Sequence, residues 1–129
     1  MPNLALSYPK LQQRLPARRR ARKQSLSARM ADNASAHAAA RLTAIRRQID
    51  RLDEQLLKHV NRRAQLALEI GRVKKRRKWP VFDASREASV LRHVINANRG
   101  PLSPAAVHRI FQSILRECRR REHRRAKAR

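Results

Sequence analysis

The sequence predicts an all-α protein whose chain forms three helices, one very long, one short and one of medium length. From Leu42 onward, apolar residues recur at alternating steps of three and four, which is the spacing of one helix face. No proline interrupts this pattern before Pro80. Glycine occurs only at Gly71 and Gly100 among the 129 residues, so strands would have almost no turn residues to join them. These observations favour helices over a sheet.

The first helix is predicted to run from about residue 41 to residue 77. At about 1.5 Å per residue it would be roughly 55 Å long, far longer than an average globular helix. A chain this short cannot cover such a rod by itself. The helix is therefore expected either in a coiled coil or in a core that two chains share. Its apolar stripe consists of Leu42, Ile45, Ile49, Leu52, Leu56, Leu66, Ile70 and Val73.

The second helix is predicted to begin after Asp83 and to end near Asn98. Pro80 ends the first helix, because the residue before a proline is pushed out of the helical region. Asp83 is placed as the N-cap of the new helix. Gly100 suits the left-handed position after a helix, and Pro101 forbids continuation.

The third helix is predicted to begin with Ser103 as N-cap and Pro104 in the first turn. Beyond Cys118 the apolar residues stop, so the tail from Arg119 is expected to fray into solvent. The apolar stripe of this helix consists of Val107, Ile110, Phe111, Ile114, Leu115 and Cys118.

The composition indicates an anionic partner. The chain has 33 Lys and Arg residues against 9 Asp and Glu, a formal net charge of +24. Nucleic acid, an anionic membrane and small polyanionic metabolites all fit this charge. The lone Cys118 cannot form an internal disulfide, which favours a reducing, cytoplasmic location. No stretch approaches the roughly 18 to 20 apolar residues of a membrane span, so no membrane is expected as a partner. His59 has no second His or Cys at metal-binding spacing, so no metal is expected.

Residues 1–40 are predicted to be a disordered basic N-terminal arm. They contain Pro2, Pro9, Pro16 and the run "PARRRARK", without an apolar stripe that could pack against anything. Two alternatives stay open: the arm resembles an organellar transit peptide, or translation starts at Met30. The remaining chain divides into a helical domain at 41–123 and a basic tail at 124–129.

Several charged residues fall on the predicted buried stripes. Arg63 occupies a seam position between two apolar ones, where an unpaired guanidinium requires an anionic partner. Lys74 is eleven residues further on, within about 20° of the same face, so both can line one pocket. Glu122 follows Cys118 by four and ends the apolar face of the third helix. Arg46 lies about 100° around the helix from Arg63, so in an antiparallel pair of chains it would serve the pocket of the partner.

A simpler interpretation exists for each charged residue. Arg46 could be a solvated cation, and Arg63 could reach solvent from the edge of the seam. Asp83 could be only a cap, and Glu87 only a favourable charge in the first helical turn. All of these interpretations would have to hold at once.

The run "AIRRQIDRLDEQLLKHVNRRAQLALEIGRVKKRRKWPVFDASREASVL", followed by "IFQSILRECRRRE", resembles the all-helical class of chorismate mutase, chorismate mutase type II. The resemblance covers about residues 42 to 122. It implies an intertwined homodimer of three-helix chains that pair through their long first helices, with two active sites that each take one Arg from the partner. Carried over by position, each site contains Arg63, Lys74, Asp83, Arg86, Glu87, Cys118 and Glu122 of one chain and Arg46 of the other.

The resemblance implies an isomerase that rearranges chorismate to prephenate in phenylalanine and tyrosine biosynthesis, with no cofactor. The reaction requires capture of a folded conformer and stabilisation of the charge that grows on the ether oxygen. Arg46 and Arg63 are the expected carboxylate ligands, because a guanidinium matches a carboxylate as a bidentate fork. Lys74 is expected at the ether oxygen and a neighbouring carboxylate. Arg63, Lys74 and Glu122 are the predicted catalytic residues.

The second helix and the end of the third supply the other predicted contacts. Glu87 would accept a hydrogen bond from the ring hydroxyl, with Asp83 closing that side and Arg86 orienting the acids or approaching the substrate. Glu122 stands where many members of the family carry Gln, and a carboxyl can donate to the ether oxygen only when protonated. Cys118 stands where a small hydroxyl residue is frequent and is a weaker hydrogen-bond partner.

Two other functions stay open from the sequence. Isochorismate pyruvate lyases share this scaffold and cationic pocket. A basic helical nucleic-acid-binding protein would explain "KKRRK" at 74–78 and the "RRR" runs, although no docking motif appears. The basic arm and tail are expected to bind polyanions nonspecifically in either case.

Overall fold

A computed structural model describes residues 17–128, and within this range the chain forms three α-helices and no strand. Helix α1 spans Ala17–Arg76, α2 spans Ala84–Ala97 and α3 spans Pro104–Lys127. This confirms the predicted all-α class and the order of one very long, one short and one medium helix. The chain divides into two compact units, residues 1–49 and residues 50–129.

Helix α1 begins much earlier than predicted. The sequence predicted disorder up to residue 40, but residues 17–40 are helical, which corrects that expectation for this stretch. Ala, Arg, Lys and Leu are strong helix formers, and no Pro or Gly occurs between Ala17 and Arg41. These residues are all exposed, so local propensity rather than burial accounts for the helix. Residues 1–16 of the predicted arm lie outside the described range, and the division into arm, domain and tail stays a prediction.

The end of α1 is a Schellman motif with a lysine where glycine is usual. The backbone N–H of Trp79 donates to the carbonyl of Lys74 at 2.8 Å, and that of Lys78 donates to the carbonyl of Lys75 at 3.2 Å. Lys78 takes the left-handed conformation that this motif requires, with φ of 56°. Pro80 follows, so the chain leaves the helix and turns toward α2.

The predicted N-caps of the two shorter helices are confirmed. Asp83 Oδ1 accepts from the backbone N–H of Arg86 at 2.9 Å, and Ser103 Oγ accepts from that of Ala106 at 3.1 Å. These bonds satisfy amide groups that have no partner inside the helix. Helices α2 and α3 therefore both start where the sequence indicated.

The ends of α2 and α3 differ from the prediction. Gly100 does not adopt a positive φ, so the expected left-handed glycine after α2 is wrong. Asn98 ends the helix instead: its side chain accepts from the Gly100 N–H at 3.1 Å and donates to the Leu102 carbonyl at 2.7 Å. Helix α3 does not fray at Arg119 but continues to Lys127, and its last turn holds basic residues that favour a helix C-terminus.

The buried core of the described chain is small and lies on α3, which packs against α2. It consists of Val107, Leu115 and Cys118, each less than a tenth exposed. Helix α1 has no buried residue. Its apolar stripe is therefore not covered by any part of residues 17–128. In residues 17–49 the exposed members are Leu42, Ile45 and Ile49, and in residues 50–128 they are Leu52, Leu56, Leu66, Ile70 and Val73.

None of the three helices, over residues 17–128, combines the length and the apolar character needed to cross a membrane.

Candidate active site

A cavity of about 290 Å³ lies within the unit of residues 50–129, where side chains of α1, α2 and α3 meet. Its apolar wall comes from Leu66, Ala67, Ile70, Val81, Val90 and Leu115. The cavity also brings together seven of the eight predicted site residues, although they are spread over 60 positions of sequence. They are Arg63, Lys74, Asp83, Arg86, Glu87, Cys118 and Glu122.

The eighth predicted residue, Arg46, belongs to the unit of residues 1–49 and is exposed on α1. The lining also includes a cation that sequence reasoning missed, Arg119. Its position held a signal, because Arg119 follows the buried Leu115 by four and so lies on the same face of α3.

Helix α1 supplies two half-buried cations, Arg63 and Lys74. Arg63 Nη1 donates to Cys118 Sγ at 3.3 Å, and Lys74 Nζ donates to the Val81 carbonyl at 2.8 Å. Both partners are neutral, and the ion pairs found among residues 17–128 include neither cation. The anionic partner expected for Arg63 is thus not a side chain of this unit. The remaining donors of both groups are available to an anion in the cavity.

Helix α2 supplies an acid that is already paired. Glu87 Oε1 accepts from Arg119 Nη1 at 3.0 Å, and both side chains are about one third exposed or less. The Arg119 guanidinium lies over the Phe82 ring, 4.6 Å from its centroid. Asp83 directs Oδ1 to its own helix as the cap, and Arg86 is exposed beside it.

Helix α3 supplies the buried Cys118 and the half-buried Glu122. Burial raises the pKa of the Glu122 carboxyl above its ordinary value, and the nearby charge of Glu87 adds to the increase. Lys74, His123 and Arg63 act in the opposite direction, because their positive charges favour the carboxylate. Burial prevails, so Glu122 keeps its proton to a higher pH than an ordinary glutamate.

A second cavity, of about 370 Å³, shares Val81 and Glu122 with the first. Its other lining residues come from the last turns of α1 and α3 and from Lys78 and Trp79. Of the predicted site residues it contains only Glu122. The smaller cavity is therefore the candidate site, because it concentrates the groups that can act on a small molecule.

The arrangement has the elements of a binding site for a compact anionic metabolite. Unpaired cations lie on one wall, and a paired carboxylate that can accept a hydrogen bond lies on another. A carboxyl with a raised pKa, which α3 contributes to the same cavity, can donate a proton in a hydrogen bond. The fold and the cavity thus define a small all-helical protein with a cationic pocket for a carboxylate ligand.

The chain belongs to the chorismate mutase type II family, whose sequence profile matches residues 45–123. It is 42% identical over 82 residues to the bifunctional chorismate mutase/prephenate dehydratase of Pseudomonas aeruginosa. The aligned part is 60% of this chain and 22% of that protein. It is also 46% identical over 52 residues to the T-protein of Enterobacter agglomerans, covering 40% of this chain and 14% of the T-protein. The chain therefore spans about a fifth or less of the length of these curated relatives.

A solved structure supports the same assignment. The Form II structure of chorismate mutase from Thermus thermophilus superposes with a TM-score of 0.64 and 28% sequence identity. The match covers 65% of this chain and 96% of that chain. The resemblance seen in the sequence is therefore confirmed by the family profile, by the curated relatives and by the fold.

Proposed function

We propose that the chain catalyses the rearrangement of chorismate to prephenate, as an isomerase of aromatic amino acid biosynthesis. The observation that carries the proposal is the cavity in which Arg63 and Lys74, free of ion pairs with described residues, lie close to Glu122. The rearrangement is intramolecular and needs neither a nucleophile nor proton abstraction. The protein has to hold the folded conformer and stabilise the charge that develops on the ether oxygen.

Arg63 and Lys74 hold the substrate from the α1 side. Arg63 is anchored at one nitrogen by Cys118, which leaves the other side of its planar fork for a carboxylate. Lys74 is anchored by the Val81 carbonyl, and its remaining N–H groups can reach the ether oxygen and a neighbouring carboxylate. Because both cations are fixed before the substrate arrives, little reorganisation is needed when the charge develops.

Glu122 completes the ether-oxygen site as a neutral donor. A carboxylate would repel the developing oxyanion, whereas a protonated carboxyl donates a hydrogen bond to it. The raised pKa of Glu122 supports this role, because it enlarges the protonated fraction near neutral pH. Glu87 accepts from the ring hydroxyl on the α2 side, and Asp83 and Arg86 line the same end of the cavity.

The working unit is proposed to be a homodimer in which Arg46 enters the site of the partner. The exposed apolar stripe of α1 supports this, since its large side chains are each at least about 40% exposed in the single chain. Such a stripe is normally covered in solution, and a second copy of the same helix is complementary to it. Arg46 lies along the same helix, which would carry it toward the partner.

Subunit complementation tests the shared site. Arg46→Ala and Arg63→Ala homodimers should each lose at least about a hundredfold in kcat/KM, since each lacks one carboxylate ligand. When the two are unfolded together and refolded, half of the dimers are mixed and each mixed dimer holds one intact site, so about a quarter of wild-type activity should return. If Arg46 served the site of its own chain, no mixed dimer would hold an intact site and no activity would return.

The activity itself is tested by the loss of chorismate absorbance with purified protein, next to the same assay with isochorismate. Chorismate should be consumed to prephenate, and Arg63→Ala should abolish the turnover. Arg62→Ala is a matched control, because Arg62 is an exposed neighbour outside the cavity. Preferential release of pyruvate from isochorismate would replace the proposed function by a lyase on the same fold.

We also propose a cytoplasmic location and nonspecific, salt-sensitive binding of polyanions by the basic arm and tail. The reduced, buried Cys118 supports the location. Exposed cations on both segments support the binding, which should weaken steeply with added salt. Removal of residues 124–129 should reduce retention on heparin and leave chorismate turnover intact.

A further inference from the structure

Arg119, Glu87 and Phe82 form a cluster that joins the start of α2 to α3 beside the cavity. Arg119 Nη1 donates to Glu87 Oε1 at 3.0 Å, while the face of the same guanidinium lies 4.6 Å from the centroid of the Phe82 ring. Arg119 and Glu87 both line the cavity. The guanidinium is therefore held at its edge by a carboxylate and at its face by an aromatic ring.

This pair differs from an ordinary surface ion pair. Arg120 and Glu117 lie at the same distance, 3.0 Å, but their side chains are 63% and 61% exposed, whereas those of Arg119 and Glu87 are 32% and 27% exposed. Solvent screens the exposed Arg120–Glu117 pair, called here the outer pair. It screens the Arg119–Glu87 pair, the inner pair, much less. The ring adds a cation–π contact, which only the inner pair has among residues 17–128. The inner pair is thus the more strongly oriented of the two.

The geometry leaves one oxygen of Glu87 free. Oε1 is engaged by Arg119, and none of the hydrogen bonds within the described part of the chain involves Oε2. A carboxylate that is fixed through one oxygen presents the other in a defined direction, whereas a free glutamate side chain samples several rotamers. Fixing the acceptor before the substrate binds lowers the entropy lost on binding.

We propose that Arg119, held by Phe82, is a positioning residue that orients Glu87 to accept the hydroxyl hydrogen bond of the substrate. This role rests on the proposed function, because it needs a substrate that carries a ring hydroxyl. A direct role for Arg119 as a substrate carboxylate ligand is the competing assignment. The structure favours positioning, since the charge of Arg119 is already paired with a carboxylate and its face is covered by the Phe82 ring, whereas Arg63 is held only by a thiol.

Removal of the Arg119 charge tests the proposal. Arg119→Met keeps most of the side-chain length but removes the donor, and kcat/KM for chorismate should fall about tenfold, the usual effect of losing a hydrogen bond to a charged group. Arg120→Met is the matched control, because it makes the same change one residue away in the exposed pair. The control should stay within about twofold of the wild type.

Two readouts separate positioning from direct binding and from simple loss of structure. In a Glu87→Gln background, Arg119→Met should cause little additional loss, because the residue acts through Glu87. With a chorismate analogue whose ring hydroxyl is replaced by hydrogen, the wild type and Arg119→Met should react at similar rates. Equal losses with both substrates, or full additivity in the double variant, would overturn the proposal.

Milder variants keep the test open if Arg119→Met folds poorly. Phe82→Leu leaves the ion pair and removes the ring, and should cost less than Arg119→Met but show the same dependence on the hydroxyl. Arg119→Lys should recover part of the lost kcat/KM, since it restores the charge without the planar fork. A wild-type rate with Arg119→Met would reject the positioning role and leave the proposed function standing. An inactive wild-type chain would reject both.

Discussion

Glu122 on α3 lies directly against Gly71 on α1. A Cβ atom added to Gly71 would stand 3.6 Å from Cγ and 3.7 Å from Oε2 of Glu122. The absence of a side chain at residue 71 lets the carboxyl lie close to the α1 helix, where water has limited access. This close approach is part of the burial that raises the pKa of the Glu122 carboxyl.

Enzyme activity should decrease as the pH rises. In the proposed mechanism the protonated Glu122 carboxyl donates to the ether oxygen, and the protonated population falls as the pH passes the raised pKa of that group. Over about pH 5 to 8.5, kcat/KM for chorismate should therefore decline in the wild type. Glu122→Gln should give a flat profile, because an amide donates without titrating. A flat wild-type profile would contradict the assignment of Glu122 as a neutral donor.

Glu122 should also make folding stability depend on pH. The pKa of Glu122 is raised in the folded state, so below the unfolded-state pKa both states carry the proton and the group has no effect. As the pH rises toward and through the folded-state pKa, the unfolded state releases its proton more readily and the folded state loses stability relative to it. Glu122→Gln should thus gain stability over the wild type near neutral pH and lose that gain at about pH 3.5. Urea denaturation at both pH values measures the difference in free energy of unfolding between Glu122→Gln and the wild type. The same difference at both pH values would contradict the prediction.

A methyl group on Gly71 should stabilise the protein. The distances from the added Cβ to Glu122 correspond to ordinary van der Waals contact, so no clash opposes the change. Alanine is favoured over glycine inside a helix by about 0.5 to 1 kcal/mol. Gly71→Ala should raise the free energy of unfolding by about that amount and, by excluding water, raise the pKa of Glu122 further. Thermal denaturation and the pH profile of kcat/KM check both effects, and a destabilised variant would show that residue 71 has another close neighbour.

The sequence was sufficient for the helix order, which follows from helical periodicity, and for most of the cavity, whose residues came mainly from the family resemblance. Arg63 and Lys74 share a face through their eleven-residue spacing, and the N-cap at Asp83 follows from local chemistry. The start of α1 was missed because residues 17–40 carry no sustained apolar stripe to detect. The pairing of Arg119 with Glu87 depends on the packing of α3 against α2, which no spacing within one helix encodes.

Asp83 has two possible roles that one pair of variants can separate. Its Oδ1 accepts from the Arg86 N–H at 2.9 Å, and the residue also lines the cavity. Asp83→Ala should lower the free energy of unfolding by about 1 kcal/mol, while Asp83→Ser keeps a capping oxygen and should lower it by much less. If Asp83 only caps the helix, Asp83→Ser should retain wild-type kcat/KM. A large loss of activity in a stable Asp83→Ser protein would instead assign Asp83 a contact with the substrate.

Cys118 should matter mainly as the anchor of Arg63. The residue is only 6% exposed, and its Sγ accepts from Arg63 Nη1 at 3.3 Å. Cys118→Ser provides an oxygen acceptor at the same place, so its hydroxyl is not left without a partner, and kcat/KM should stay within about threefold of the wild type. Cys118→Val fills the space but removes the acceptor, so Arg63 loses its orientation and kcat/KM should fall about tenfold. Steady-state kinetics with thermal denaturation as a folding control measures both variants, and equal activity of the Ser and Val variants would show that the thiol contact does not orient Arg63.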